Sequence, residues 1–258
     1  MKRLQFVTNE PAVVVGKYLV IADLHLGIEA ALLASGVRLP SGTDQLLEKI
    51  EKLTKKAERL LILGDVKHEV PGTSQQEWRE LPPFFRKLAS IVPVDIVPGN
   101  HDTVLERIVR NVPNVTIHDA GGFRDGEFFF MHGHKWPSED VVNAEMLLCG
   151  HVHPHIEFHD DAGKIWREPA WVAAPVVKKR LMEQYKTTTV AAGEQTLLLV
   201  PAFSDLAGSG VVNLPQLPAD HRSPMLKLTR FGDARAFLLD GTDLGTINDL
   251  LLERPDVS

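Results

Sequence analysis

A chain of 258 residues with 44% hydrophobic and 24% charged residues has the balance of a folded protein with a sizeable core. Its formal net charge of −6 argues against a generally basic surface that coats nucleic acid. Bound divalent cations reverse the field locally, so a nucleic-acid substrate stays open. The single cysteine, Cys149, excludes an internal disulfide and fits a reducing compartment. Met1-Lys2-Arg3-Leu4-Gln5 leads into no long apolar stretch with a small-residue cleavage site, and no run of about 18 apolar residues suggests a membrane span. The expected location is the cytoplasm.

In chain order, residues 12–15 and 18–22 read as two short strands around a Gly16-Lys17 turn, the second ending in Asp23-Leu24-His25-Leu26-Gly27. Residues 28–35 fit a short helix that stops at Gly36. Ser41-Gly42-Thr43 offers caps for a helix over 44–57, in which Leu46, Leu47, Ile50 and Leu53 recur at helical spacing. Leu60-Leu61-Ile62-Leu63 is all apolar and ends in Gly64-Asp65, the pattern of a buried parallel strand. Residues 66–73 read as a loop bearing Lys67, His68 and Glu69. Two helices are expected next, over 74–81 and 83–89, the second with Pro in its first turn.

Residues 91–97 read as a strand leading into Gly99-Asn100-His101-Asp102, with a helix over 103–110 beside that loop. Strands follow over 115–118 and 128–131, with a turn at Arg124-Asp125-Gly126, and the second delivers His132-Gly133-His134. Ser138 is placed to cap a short helix through Asn143. A strand over 144–149 delivers Gly150-His151-Val152-His153, and 155–159 with 164–166 read as a hairpin. Late strands are expected over 187–192, 196–200 and 236–239. The alternation of strands and helices predicts an α/β fold. No composition break is visible, so residues 1–258 are expected to form one domain whose late strands, about 187–240, complete a second sheet.

Five loops thus carry Asp, Asn and His, each after an apolar run, and strand ends are where α/β proteins place their chemistry. Carboxylate oxygen, amide oxygen and imidazole nitrogen are donors for Mn, Fe or Zn. A pair of such ions about 3.5–4 Å apart clamps both ends of an in-line displacement. Asp23 and His25 alternate across one residue, which can turn both toward one site. Asp65 has two oxygens suited to bridging, Asn100 a neutral amide oxygen, and His132, His151 and His153 further nitrogens. Each loop alone has a plainer reading: a cap or turn for Asp23-Leu24-His25, a turn for Gly64-Asp65 and for Asn100-His101-Asp102, a surface loop for His132-Gly133-His134. All five together, in this order, predict one metal centre.

The pattern resembles the calcineurin-like metallophosphoesterase superfamily: D-x-H, G-D, G-N-H-D/E, a His before Gly, and G-H-x-H occur complete and in order from Asp23 to His153. The resemblance implies a four-layer α/β/β/α sandwich with two divalent metal ions at the sheet edges. Mn is the first expectation, with Fe, Zn, Co or Ni accepted by the same donors. It implies one metal on Asp23, His25, Asp65 and His153 and the other on Asp65, Asn100, His132 and His151, bridged by Asp65. His101 would be the general acid, Asp102 would orient its ring, and a hydroxide between the metals would attack phosphorus. Asp23 to Leu32 with Gly36-Val37-Arg38-Leu39-Pro40, and Val200 to Gly208, are similar to the ICC-like phosphoesterases, which include ligase-associated DNA damage response endonucleases of bacteria. Gly64-Asp65-Val66-Lys67-His68-Glu69 looks more like archaeal members.

The expected activity is hydrolysis of a phosphodiester in nucleic acid, DNA or RNA, or in a nucleotide. A phosphomonoesterase acting on a phosphoprotein or small molecule is the alternative. A non-catalytic scaffold is a third reading, against which the intact His101 and ligand set speak. His68 and His134 are candidates for substrate binding. Lys67, Lys135 and Arg38 are weighed as phosphate contacts against simple solvation, and Trp78 and Trp136 as base-stacking platforms against packing. Lys178-Lys179-Arg180 reads as a solvated basic face, Cys149 as buried packing, and His155 and His159 as structural or exposed. His118 and His221 carry no motif. No membrane partner is expected, protein partners are not named by the sequence, and a homodimer is the commonest state of soluble assemblies.

Overall fold

Strands that are apolar at nearly every position need cover on both faces, and the first sheet is built around three of them, interrupted only by Arg59 and Asp95. β3 (Tyr18–Ile21), β4 (Arg59–Leu63) and β5 (Val94–Val97) run parallel, extended by β6 (Val115–Ile117) on one side. On the other side β2 (Val13–Val15) and β1 (Leu4–Phe6) continue it antiparallel. The computed structural model describes residues 4–216 and 219–252. Residues 1–3, 217–218 and 253–258, which the sequence reading placed in the single domain and, at the start, tested for a leader, lie outside these.

Successive side chains of a strand point to opposite faces. Leu60 and Ile62 of β4, with Leu19, Ile21, Val94 and Ile96 of its neighbours, meet the helices. Those helices are α1 (Ile28–Ala34), α2 (Thr43–Thr54), α3 (Gln75–Ala89) and α4 (Leu105–Val109). They contribute Ile50 and Leu53, then Leu81, Phe84, Phe85 and Leu88, then Leu105, Ile108 and Val109. Leu61 and Leu63 face the other way and join Val20, Val97, Phe130, Leu148, Trp171 and Leu198 in a core between two sheets.

The second sheet holds β7 (Phe123–Asp125), β8 (Phe128–Met131), β9 (Met146–Cys149), β10 (Pro154–His159), β11 (Ile165–Pro175), β12 (Thr196–Leu199) and β13 (Gly210–Val211). Its order is β13-β10-β11-β12-β9-β8-β7, with β14 (Arg235–Leu238) against β11 and β15 (Asp243–Thr246) against β14. Its outer face, with Phe129, Leu147, Val172 and Leu197, is covered by Leu181 of α5 (Lys178–Tyr185), by Ile247 of α6 (Ile247–Leu250), and by Met225 and Leu228. Three stacked cores between four layers make this the α/β/β/α sandwich. Among the described residues no helix is long and apolar enough to cross a membrane.

Four local expectations need correction. The helices expected over 74–81 and 83–89 are one helix, α3, with Pro82 and Pro83 inside it. Each proline costs about 3 kcal/mol in a helix interior. Burying Leu81, Phe84, Phe85 and Leu88 on one continuous stripe returns about 1.5–3 kcal/mol per side chain, so burial outweighs the local penalty. Residues 187–192 are not a strand; Ala191 and Ala192 offer their carbonyls to the Lys178 ammonium at 2.8 and 2.9 Å instead. The basic run Lys178-Lys179-Arg180 opens α5, and Arg180 ties it to the Thr229 carbonyl at 2.7 Å. The short helix after Ser138 is a 3₁₀ turn, Glu139–Asn143, and the Ser138 side chain does not cap it.

Candidate metal centre

The five motif loops follow β3, β4, β5, β8 and β9, and they meet at one edge of the sandwich. Backbone bonds lace the first two: Asp23 N–H donates to the Gly64 carbonyl at 3.1 Å and His25 N–H to the Asp65 carbonyl at 2.9 Å. The carboxylate of Asp23 accepts the N–H of His151 at 3.0 Å, joining the two sheets. His101 N–H donates to Asp65 Oδ1 at 2.9 Å.

Close convergence strains the chain. Asp23, His25, Asp65, His151 and His153 have φ of 57°, 45°, 47°, 65° and 47°. Left-handed residues other than glycine cost on the order of 1 kcal/mol or more each and cluster at functional sites. These five are the donors that the D-x-H, G-D and G-H-x-H motifs supply. The glycines beside them serve a different need. A Cβ on Gly64 would strike the His132 ring, and one on Gly99 would strike the Asp65 carboxylate.

Two groups of donors share Asp65. Asp23, His25, Asp65 and His153 form the first, and Asp65, His132 and His151 the second, with the donor atoms of each group within 4.8 Å of one another. Asn100 Oδ1 adds a fourth donor to the second group, 3.1 Å from His132 Nε2. Asp65 Oδ2 lies 3.8 Å from His25 Nε2 and 3.4 Å from His132 Nε2. His132 donates Nδ1–H to the Leu63 carbonyl at 2.8 Å, and His153 donates Nδ1–H to the Ala207 carbonyl at 3.0 Å. Both rings are thereby fixed with Nε2 facing the centre, as in metal-binding histidines. The buried Nε2 atom of His25 has no hydrogen-bond partner among the described residues, and that of His153 has only Asp23 Oδ1 at 3.4 Å. Such an orphan is costly unless a cation takes it. The donors fit divalent metals that accept oxygen and imidazole nitrogen together.

His101 stands beside both groups. Its side chain is one-quarter exposed and its Nε2 lies 4.0 Å from Asp65 Oδ2. Its Nδ1 meets the His68 carbonyl. Asp102 was expected to orient that ring, and it does not touch it among the hydrogen bonds of the site. The buried Asp102 carboxylate instead accepts backbone N–H groups from Val66 at 2.9 Å, Lys67 at 3.3 Å and Gly99 at 2.8 Å. It binds the loop after β4 to the loop after β5, so its influence on His101 passes through the backbone.

The sequence model of calcineurin-like phosphoesterases matches residues 16–193. The chain belongs to the calcineurin-like phosphoesterase family. Over 62 residues, 23% of this chain and 20% of the relative, it is 36% identical to the mouse serine/threonine-protein phosphatase CPPED1. The chain therefore spans about a fifth of the length of that curated relative. Among solved structures, the Pseudomonas putida nuclease MPE superposes with a TM-score of 0.53 at 20% identity, covering 93% of this chain and all of the other, a likeness of fold. Yfce, a phosphoesterase from E. coli, gives 0.34 at 18% identity over 55% of this chain and 73% of that one.

Within this calcineurin-like centre the charges are strongly coupled. Burial opposes the charge on His132, but Asp65 and Asp23 overcome it and raise the ring to about 9. Burial likewise opposes the Asp65 charge, and His132, His25 and His101 hold that carboxyl below the usual range. Burial lowers His25 to about 2, with His153, His101 and His68 adding to the effect against Asp65. Burial and then His132 lower His151 to about 3. Burial and then Asp65 raise Asp102 to about 6. Asp65 thus sustains the charge of His132, and Asp23 likewise raises the His153 ring against burial.

The remaining candidates separate clearly. His68 belongs to the site: its Nδ1 is 3.2 Å from His25 Nδ1 and its ring stacks on His101 at 5.5 Å. His134 lies 5.2 Å from the His132 ring, outside both donor groups. Lys67 is neither solvated nor a phosphate contact. It is fully buried and its ammonium bonds the Glu69 carbonyl at 2.5 Å. Trp78 and Trp136 are exposed, Cys149 is buried, and His159 pairs with Glu157 at 2.9 Å. Two contributors were missed. His221 lies with its ring 4.9 Å from that of His153. The loop of Val200 to Gly208 supplies the carbonyl that turns His153. Only the second had a signal, in the resemblance of that run to the ICC-like group.

Proposed function

We propose that this protein hydrolyses a phosphodiester, in nucleic acid or in a nucleotide, at a centre holding two divalent cations, Mn first among them. The observation that carries the reading is the pair of donor groups sharing Asp65, with a one-quarter exposed histidine, His101, beside both. Asp23, His25, Asp65 and His153 would hold one cation, and Asp65, Asn100, His132 and His151 the other. Held by these residues, divalent cations would supply electrostatic attraction for phosphate oxygens and a lowered pKa for water. His101, tied at Nδ1 to the His68 carbonyl, keeps Nε2 free to hand a proton to the leaving oxygen. Asp102 keeps the two loops in register, and residues 1–258 act as one domain.

The likeness of fold to a nuclease over nearly the whole chain supports the diester reading. The short likeness to a serine/threonine phosphatase favours the second reading, a phosphomonoesterase. The deciding assay compares bis-p-nitrophenyl phosphate with p-nitrophenyl phosphate in Mn²⁺, followed by labelled single- and double-stranded DNA and RNA. Diester hydrolysis with cleavage of a nucleic acid is expected. Turnover of the monoester alone would sink the diester reading and leave the centre as assigned.

A further inference from the structure

Glu77 is fully buried in the first turn of α3. It forms a capping box with Ser74: Glu77 N–H donates to Ser74 Oγ at 3.2 Å, and Ser74 N–H donates to Glu77 Oε2 at 2.6 Å. That uses one carboxylate oxygen. The other leaves the helix. Oε1 accepts the N–H of His68 at 2.9 Å and of Glu69 at 2.8 Å, both in the loop that follows Asp65. The Glu69 N–H and the His68 carbonyl belong to one planar trans peptide, so they point in opposite directions. The carbonyl side of that plane is the acceptor for His101 Nδ1. Gripping the N–H side therefore aims the carbonyl side. The Glu77 side chain has little room to swing, because the backbone of Gly27 packs so close to it that a Cβ there would strike Glu77 Cγ. Charged acceptors hold N–H groups about twice as strongly as neutral ones.

We propose that Glu77 is a positioning residue for His101, acting through the His68–Glu69 peptide plane to hold the ring that protonates the leaving oxygen. This rests on the reading of His101 as general acid. One capping box then has two separable halves. Ser74 serves the helix, and Glu77 serves the helix and the chemistry.

The test uses the Mn²⁺-loaded full chain with bis-p-nitrophenyl phosphate, whose leaving group needs little proton assistance, and a dinucleotide, whose alkoxide needs much. His101→Ala is the reference and should lower kcat more for the dinucleotide. Glu77→Gln should lower kcat for the dinucleotide by about tenfold to a hundredfold, with a smaller loss on the aryl diester and with KM and metal content unchanged. On the His101→Ala background it should add less than about twofold. Ser74→Ala should lower the melting temperature by about 2–4 °C and leave both kcat values alone. Glu77→Asp is the second variant. Asp249 fills the same place in the capping box of Thr246, so a shorter acid can close the box while failing to reach the loop; it should repeat the Glu77→Gln pattern. Equal losses on both substrates, or full additivity with His101→Ala, would overturn the proposal while leaving His101 as the acid. A His101→Ala variant with undiminished kcat would overturn the acid reading and this proposal with it.

Discussion

The two donor groups share Asp65 but are built differently. The first has two carboxylates, Asp23 and Asp65, with His25 and His153; the second has Asp65 alone, with the Asn100 amide, His132 and His151. Both carboxylates and the amide come from loops of the first sheet, whereas the second sheet supplies only imidazoles. The imidazoles do not separate the halves in the same way: each half has one ring lowered by burial, His25 and His151, and one raised by a carboxylate, His153 and His132. A centre of this kind has one position of higher negative charge and one of lower, coupled through a single bridging residue. Hard cations should fill the first more tightly than the second.

The largest effect is expected where the halves meet. Asp65→Asn should abolish binding at both positions and bring hydrolysis to background, read by metal analysis after gel filtration; retention of one full equivalent would show that the halves do not share this residue. Next, His101→Ala should keep the metal content of the parent and slow the chemistry on the order of 10²–10⁴-fold. Loss of metal would make His101 a ligand instead. A matched pair then separates the halves: Asn100→Ala should weaken one cation and Asp23→Asn the other, more tightly held one. Chelator titration should give two different occupancy curves, and coincident curves would end the distinction.

The smallest effect is in pH. The His132 ring is raised from 6.5 to about 9 in the folded, metal-free protein. Stability from its charge is fully present below 6.5 and is lost as pH rises through 9. The melting temperature of the metal-free protein should therefore fall across that window. A metal-loaded sample, with the ring neutral on its ligand nitrogen, should lack this fall. Parallel profiles for the two samples would place the proton elsewhere.

The donor set was legible because its signal is local: each ligand stands next to an apolar run that ends where the loop begins, and strand ends converge. What escaped the sequence depends on contacts between distant segments. Glu77 carries none of the site motifs, and only the fold brings the loop of His68 onto it. Lys67 reads as a surface cation, yet it is buried, with its backbone bridged to Leu26 and its ammonium on the Glu69 carbonyl. Asp102 carries its motif position faithfully, but its partners are amides of two different loops, which no spacing reveals. The two prolines of α3 give a correct local warning that the buried stripe of Leu81, Phe84, Phe85 and Leu88 overrides. The helix over 178–185 was hidden because its basic start looks like solvated surface, whereas its Leu181 is buried against the second sheet.

The position of β12 has a consequence for synthesis. Every donor has been made once His153 leaves the ribosome, yet β9, which delivers two of them, is flanked by β12 from residues 196–199, paired Leu197 to Leu147 and Leu199 to Cys149. A nascent chain halted after His159 would carry the complete donor set on a strand whose edge is unpaired and open to other chains. Trp171, Leu198 and Val200, which pack between the sheets behind that strand, would still be missing. An early stop beyond His159 is therefore expected to yield an aggregating fragment rather than a smaller folded protein.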